Sequence, residues 1–210
     1  MAPEALRIAL VGAESTGKTT LAQALPARIE ALSGLRCALV SERLRAWCDT
    51  MGRTPLRHEQ AAIAEAQHKA IEQAAARHDV VVCDTTALMT AVYSELIFDD
   101  TSLTAAAIAW QRRCQLTLLT AIDLPWVADG HQRDGPQVRA PVDARLRALL
   151  QQHGIGFNVV AGQGERRLAH ALETITPLLK GRSPREPGLF TRLAGRGRAD
   201  ARPGWRCDCC

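Results

Sequence analysis

Two hydrophobic periods alternate along this chain. Short, nearly continuous apolar runs are followed by longer stretches in which apolar positions recur every three to four residues. The runs at Leu6–Val11, Cys37–Ser41, Val80–Asp84, Leu116–Ile122 and Phe157–Ala161 predict strands. The stretches between them predict helices from Lys18 to about Leu32, from Thr54 to about His78, over Thr86–Ile97 and Ser102–Cys114, over Pro141–His153, and over Glu165–Leu179. Local punctuation supports these limits. Thr54-Pro55 reads as a cap followed by proline at the first helical position. Gly154 stops the helix before it. Pro26 cannot donate to the helix ladder and is expected to bend the first helix. Ile63, Gln67, Ala70 and Ala74 share one face of the third stretch. Strands that are apolar throughout are buried on both sides. Alternating with helices, they predict a parallel sheet covered on both faces, a single α/β domain.

Composition narrows the class. The chain has 210 residues, 47% hydrophobic and 23% charged, as in a soluble globular protein with one ordinary core. No apolar run approaches the ~20 residues that span a bilayer. Met1–Ala5 lacks the basic and apolar regions of a leader, so a cytoplasmic location is expected. Cys37, Cys48, Cys83 and Cys114 lie among apolar neighbours and read as small buried hydrophobes. Charge marks a boundary. Residues 181–210 carry seven arginines and three acidic residues, which accounts for the whole net charge of +4. A neutral domain over residues 1–180 and a basic, Gly- and Pro-rich tail over 181–210 are expected, the tail flexible.

The chemistry begins at Gly12-Ala13-Glu14-Ser15-Thr16-Gly17-Lys18-Thr19, which fits G-x-x-x-x-G-K-[ST] between a predicted strand and a predicted helix. Glycines let successive N–H groups converge on an anion, and the helix start adds its positive end. Lys18 supplies a cation for the β- and γ-phosphates, and the Thr19 hydroxyl suits magnesium. Gly12 through Thr20 are therefore candidate ATP-binding residues.

In parallel sheets chemistry collects at the carboxyl ends of the strands. Asp84 ends an apolar strand, where a carboxylate can serve magnesium or act as base for a hydroxyl acceptor. The plainer reading is a cap for the helix near Thr86. Glu42, with Arg43 and Arg45, follows the second strand and either borders the phosphoryl acceptor or forms a solvated turn. The segment Asp123–Arg139 has glycine and proline hinges and carries Arg133 and Arg139. It reads as a lid that excludes water and neutralises phosphate charge, against the alternative of a plain surface loop.

The set Gly12–Thr20, Glu42 with Arg45, Ile63-Ala64 with Gln67, Asp84-Thr85, and Trp126-Val127-Ala128-Asp129-Gly130 with Arg133 resembles the ribosylnicotinamide kinase domain of NadR-type proteins and the related small AAA-type ATPases. The resemblance covers roughly residues 6–178. It implies a three-layer P-loop NTPase sandwich of the nucleoside-kinase kind. It also implies magnesium-dependent transfer of the γ-phosphate of ATP to the ribose 5′-hydroxyl of nicotinamide riboside, giving nicotinamide mononucleotide. By resemblance Lys18 and Thr19 serve ATP and magnesium, Asp84 the acceptor or metal, and Arg133 the lid. Many members add an N-terminal nucleotidyltransferase domain with a His-x-Gly-His-type site. The six histidines here show no such pairing, so adenylyl transfer and DNA-binding repression are not expected.

Other classes stay open at this point: a kinase for another nucleoside or a nucleotide, or a P-loop ATPase switch that binds a protein partner, either of them able to form homo-oligomers. Seven tail arginines beside Phe190 and Trp205 make a thin footprint for nucleic acid. Cys207, Cys209 and Cys210 close the chain without a second spaced pair, which favours an oxidisable tail over a zinc site.

Overall fold

The computed structural model describes residues 4–127 and 135–184. Arg133, the middle of the expected lid and the tail with its cysteines lie outside the described residues. β1 (Leu6–Val11) leads through the glycine-rich loop into α1 (Lys18–Ser33). β2 (Cys37–Val40) and α2 (Arg43–Met51) follow, then α3 (Gln60–Ala75), β3 (Val80–Asp84), α4 (Ala87–Phe98) and α5 (Thr104–Gln111). β4 (Leu116–Thr120), α6 (Arg139–Gln152), β5 (Asn158–Val160) and α7 (Glu165–Leu179) complete the order.

All five strands are parallel, in the order β2-β3-β1-β4-β5. The chain builds on one side of β1 and then crosses to the other, so the reversal falls at β1, where such sheets bind ligands. Leu10 pairs with Asp84 in the register of β1 against β3. The loop after β1 and the acid ending β3 are therefore neighbours at one sheet edge.

Strand side chains alternate between two layers. Leu6, Ile8 and Leu10 pack with Leu21, Leu25 and Ile29 of α1 and with Leu168, Leu172 and Ile175 of α7. Val11 and Leu119 pack against α3, α4, α5 and α6 on the other face through Ala64, Leu88, Val92, Ile108, Leu146 and Leu149. Full burial of each Leu, Ile or Val among them contributes roughly 1.5–3 kcal/mol. The outcome is the expected three-layer α/β sandwich.

Three expectations about elements are corrected. Glu42, Arg43 and Arg45 do not form a plain charged turn: Arg43 opens α2, which buries Cys48 and half-buries Leu44 and Trp47. The third stretch does not become helical at Thr54-Pro55. Glu59 turns its carboxylate back to accept from the Leu56 N–H at 2.7 Å and pairs with both Arg53 terminal nitrogens, which holds a short 3₁₀ turn over Arg57–Glu59 before α3. The buried face of α3 is centred on Gln60, Ile63, Ala64, Gln67 and Ile71, with Ala70 and Ala74 at its margin. α1 is continuous through Pro26, as expected, and buries Leu25 and Ile29 on either side of it.

Cys48 and Cys83 are buried as expected, while Cys37 and Cys114 are half-buried. Desolvation pushes the Cys37 and Cys114 thiols up to about 12. Among the described residues no helix is long and apolar enough to cross a membrane.

Candidate functional site

The loop between β1 and α1 is shaped by what stands behind it. Gly12 has φ +151°, and a Cβ there would run into the Thr120 hydroxyl at the end of β4. Gly17 has φ +75° and begins α1. The Thr16 side chain is fully buried. It donates to Ala13 O at 2.8 Å and is hydrogen-bonded to the Thr120 hydroxyl at 2.6 Å, so Thr16 offers a ligand only its backbone. Lys18 Nζ donates to Ala13 O at 2.6 Å and so lies folded across the loop.

Four side chains converge beneath that loop. Thr19 lies close enough to Asp84 to pull its pKa down, while the buried Asp84 Oδ1 has no hydrogen-bond partner. Glu42 precedes α2 and accepts from Arg45 Nε at 3.4 Å. Burial lowers the Lys18 pKa against the opposing pull of Glu42 and Asp84. Burial raises Glu42, with Asp84 adding to the rise and Lys18 and Arg45 opposing it. Burial likewise raises Asp84, opposed by the Thr19 hydroxyl, Lys18 and Arg45. Two cations, Lys18 and Arg45, facing two destabilised carboxylates form an arrangement that structural ion pairs seldom need and reacting groups often do.

The cap reading of Asp84 is not what the structure shows. Thr86 caps α4, its hydroxyl accepting from the Leu88 N–H at 3.4 Å.

A cleft of about 600 Å³ opens over the loop. It is lined by Ser15 through Thr20 and Arg45, and by Leu124, Pro125, Val127 and Gln163. This mixture of polar and apolar lining suits a phosphate chain joined to a planar base. The Ser15 hydroxyl accepts from Val127 N–H at 2.8 Å and donates to Val127 O at 3.3 Å, tying the loop to the first part of the expected lid. Arg139 is the first residue of α6 and is buried. It donates to Leu124 O at 2.9 Å, behind a cleft wall, while its Nε and Nη2 have no hydrogen-bond partner.

Sequence reasoning missed Arg167. From α7 it donates to Gly162 O at 2.7 Å and to Thr16 O, and it pairs with Asp123. The other Asp123 oxygen accepts from Gly162 N–H at 2.6 Å. This buried arginine joins the phosphate loop to the segment carrying Gln163. No local pattern announces it, because Arg167 and Thr16 are 151 residues apart in sequence.

The donor set fits magnesium. Thr19 and Asp84 supply hard oxygens, one of them buried and unpartnered. Among the described residues no three His, Cys, Asp or Glu side chains gather as a self-sufficient metal cage. An ion at Thr19 and Asp84 would complete its shell from phosphate and water, as magnesium commonly does.

Sheet order, loop and converging side chains together define a P-loop protein with the fold of nucleoside and nucleotide kinases. The sequence pattern of a family described as an AAA domain matches residues 7–167, and the chain belongs to that family. No curated protein matches. Among solved structures, a NadR protein in complex with NR is 18% identical with a TM-score of 0.66, over 88% of this chain and 53% of that one. A NadR protein in complex with NAD and AMP-PNP gives 18% and 0.63, over 87% and 52%. The thymidylate kinase of Ehrlichia chaffeensis gives 14% and 0.57, over 84% and 100%. The chain thus spans about half the length of the NadR chains it matches, and at these identities the likeness is one of fold.

Proposed function

We propose that this protein is a magnesium-dependent kinase that phosphorylates the 5′-hydroxyl of a nucleoside, with nicotinamide riboside as its acceptor and nicotinamide mononucleotide as its product. The observation that carries the reading is the convergence of Lys18, Thr19, Asp84 and Glu42 beneath the phosphate loop. Support for the acceptor comes from the sequence resemblance and from the NR complex of the NadR structure. Support for ATP comes from the loop itself and from the AMP-PNP complex.

In this reading the N–H groups of residues 13–19 and Lys18 hold the β- and γ-phosphates of ATP. Lys18 leaves Ala13 O to do so. Magnesium, held by Thr19 and Asp84, neutralises phosphate charge when bound. This reading assigns Asp84, beside Thr19, to the metal and Glu42 to take the acceptor proton. The hydroxyl oxygen then bonds to the γ-phosphorus, its proton passes to Glu42, and the bond from that phosphorus to the departing ADP oxygen breaks. Arg45, lining the cleft beside Glu42, and Arg139 and Arg133 of the lid segment supply positive charge around the transferring group. The apolar wall at Leu124, Pro125 and Val127 excludes water, without which ATP would be lost to hydrolysis.

The test is ATP consumption with and without a panel of nucleosides, wild type beside Lys18→Ala. The reading expects turnover only with an acceptor and its loss in the variant. Equal ATP hydrolysis with and without every nucleoside would identify an ATPase switch instead.

A further inference from the structure

Gln67 stands outside the cleft yet touches both halves of the reacting centre. It lies on the buried face of α3, only 2% exposed. Its Oε1 accepts from the Arg43 N–H at 2.7 Å, and its Nε2 donates to Thr85 O at 3.4 Å. Arg43 directly follows Glu42, and Thr85 directly follows Asp84. One side-chain amide therefore bridges the backbone just beyond each candidate carboxylate.

The bridge holds conformations that need holding. Thr85 has φ +68°, a left-handed geometry that a β-branched residue adopts only under strain. Its N–H is fixed on Leu10 O at 3.1 Å, and its carbonyl is the group Gln67 reaches. On the other side, Arg43 is the first residue of α2, where N–H groups lack intrahelical partners. Gln67 satisfies that donor and so fixes where α2 begins and where Glu42 stands.

We infer that Gln67 is a positioning residue for phosphoryl transfer: its amide sets the separation of Glu42 and Asp84 by clamping the chain after each. The inference rests on the proposed role of those two carboxylates. An ordinary buried glutamine would be replaceable by an apolar side chain of similar volume at a cost in stability alone. A clamp would not be, because a misplacement of about 1 Å can cost about a hundredfold in rate.

The experiment uses the full chain and compares Gln67→Met with Ile71→Ala. Ile71 is a core residue one turn further along the same buried face, away from the carboxylates. For each protein the thermal midpoint, the affinity for a non-hydrolysable ATP analogue, kcat and both KM values are measured. Gln67→Met should keep analogue affinity and the ATP KM within about twofold and lose about ten- to a hundredfold in kcat. Ile71→Ala should lose stability and keep kcat per folded molecule. A Gln67→Met enzyme with wild-type kcat, or one whose loss only follows its stability as in Ile71→Ala, overturns the inference. The split is read on whatever ATP turnover the wild type shows. Absence of nucleoside phosphorylation would therefore count against the proposed function, and an unchanged kcat against the role of Gln67, as separate results.

Discussion

The hydroxyl of Thr120 occupies the space that a side chain on Gly12 would need. β4 thus presses directly on the first residue of the phosphate loop, and the loop takes its curve from the strand behind it. Gly12→Ala adds both a clash and a residue at φ +151°. Its expected cost is about 1–3 kcal/mol of stability, with ATP-analogue affinity falling at least tenfold. Chemical denaturation and calorimetric binding check both, and wild-type values would show that the loop is not held this way.

Asp84→Asn and Glu42→Gln should each lower phosphoryl transfer on the order of a hundredfold or more. The sign of the stability change is also fixed. A carboxylate whose pKa rises on folding costs stability progressively as pH climbs from its unfolded value through its folded value, so the cost is present at pH 7. Removing the charge should leave the thermal midpoint at pH 7 unchanged or higher. The acid limb of the rate profile should lie above the ordinary carboxylate range of about 3.9–4.3, because Glu42 is raised. An unfolded variant, or an acid limb below that range, would argue for a structural carboxylate.

Glu59 gives the opposite dependence. Arg53 and the Leu56 N–H hold its pKa down to about 2. A depressed carboxylate stabilises the fold fully above its unfolded pKa and stops doing so as pH falls through the folded value. The thermal midpoint of Glu59→Gln should lie below wild type at pH 7, and the gap should close between about pH 4 and pH 2. A gap independent of pH would mean that shape, not charge, matters at the turn before α3.

The parts of the fold legible in the sequence are those with local causes. β1, the loop, α1 and the acid ending β3 could be read because glycine freedom, a helix start and an apolar strand are each set within a few residues. The charges of Arg43 and Arg45 hid α2, whose one fully buried residue is Cys48. The start of α3 was displaced because the Arg53–Glu59 pair outweighs the Thr54-Pro55 signal. Among the candidate site residues, Lys18, Thr19, Asp84 and Glu42 do come together, while Thr16 turns inward. Arg167 and the clamp at Gln67 depend on contacts between distant segments, which no period or motif encodes.

The tail expectation becomes a prediction with an adjusted edge. Arg182 donates to Glu4 O at 2.9 Å and to Leu178 O at 3.1 Å, so we place the domain boundary after it and not at residue 180. Removal of residues 185–210 should leave the thermal midpoint and kcat unchanged. Aggregation of the shortened chain would show that Leu189, Phe190 and Leu193 belong to the core.

The central claim is acceptor-dependent phosphoryl transfer, and chromatography of one reaction tests it most directly. Purified protein is incubated with magnesium, ATP and nicotinamide riboside. The account predicts nicotinamide mononucleotide and ADP in equal amounts, and neither above background with Lys18→Ala. ADP without nicotinamide mononucleotide, at the same rate with no nucleoside present, would contradict it.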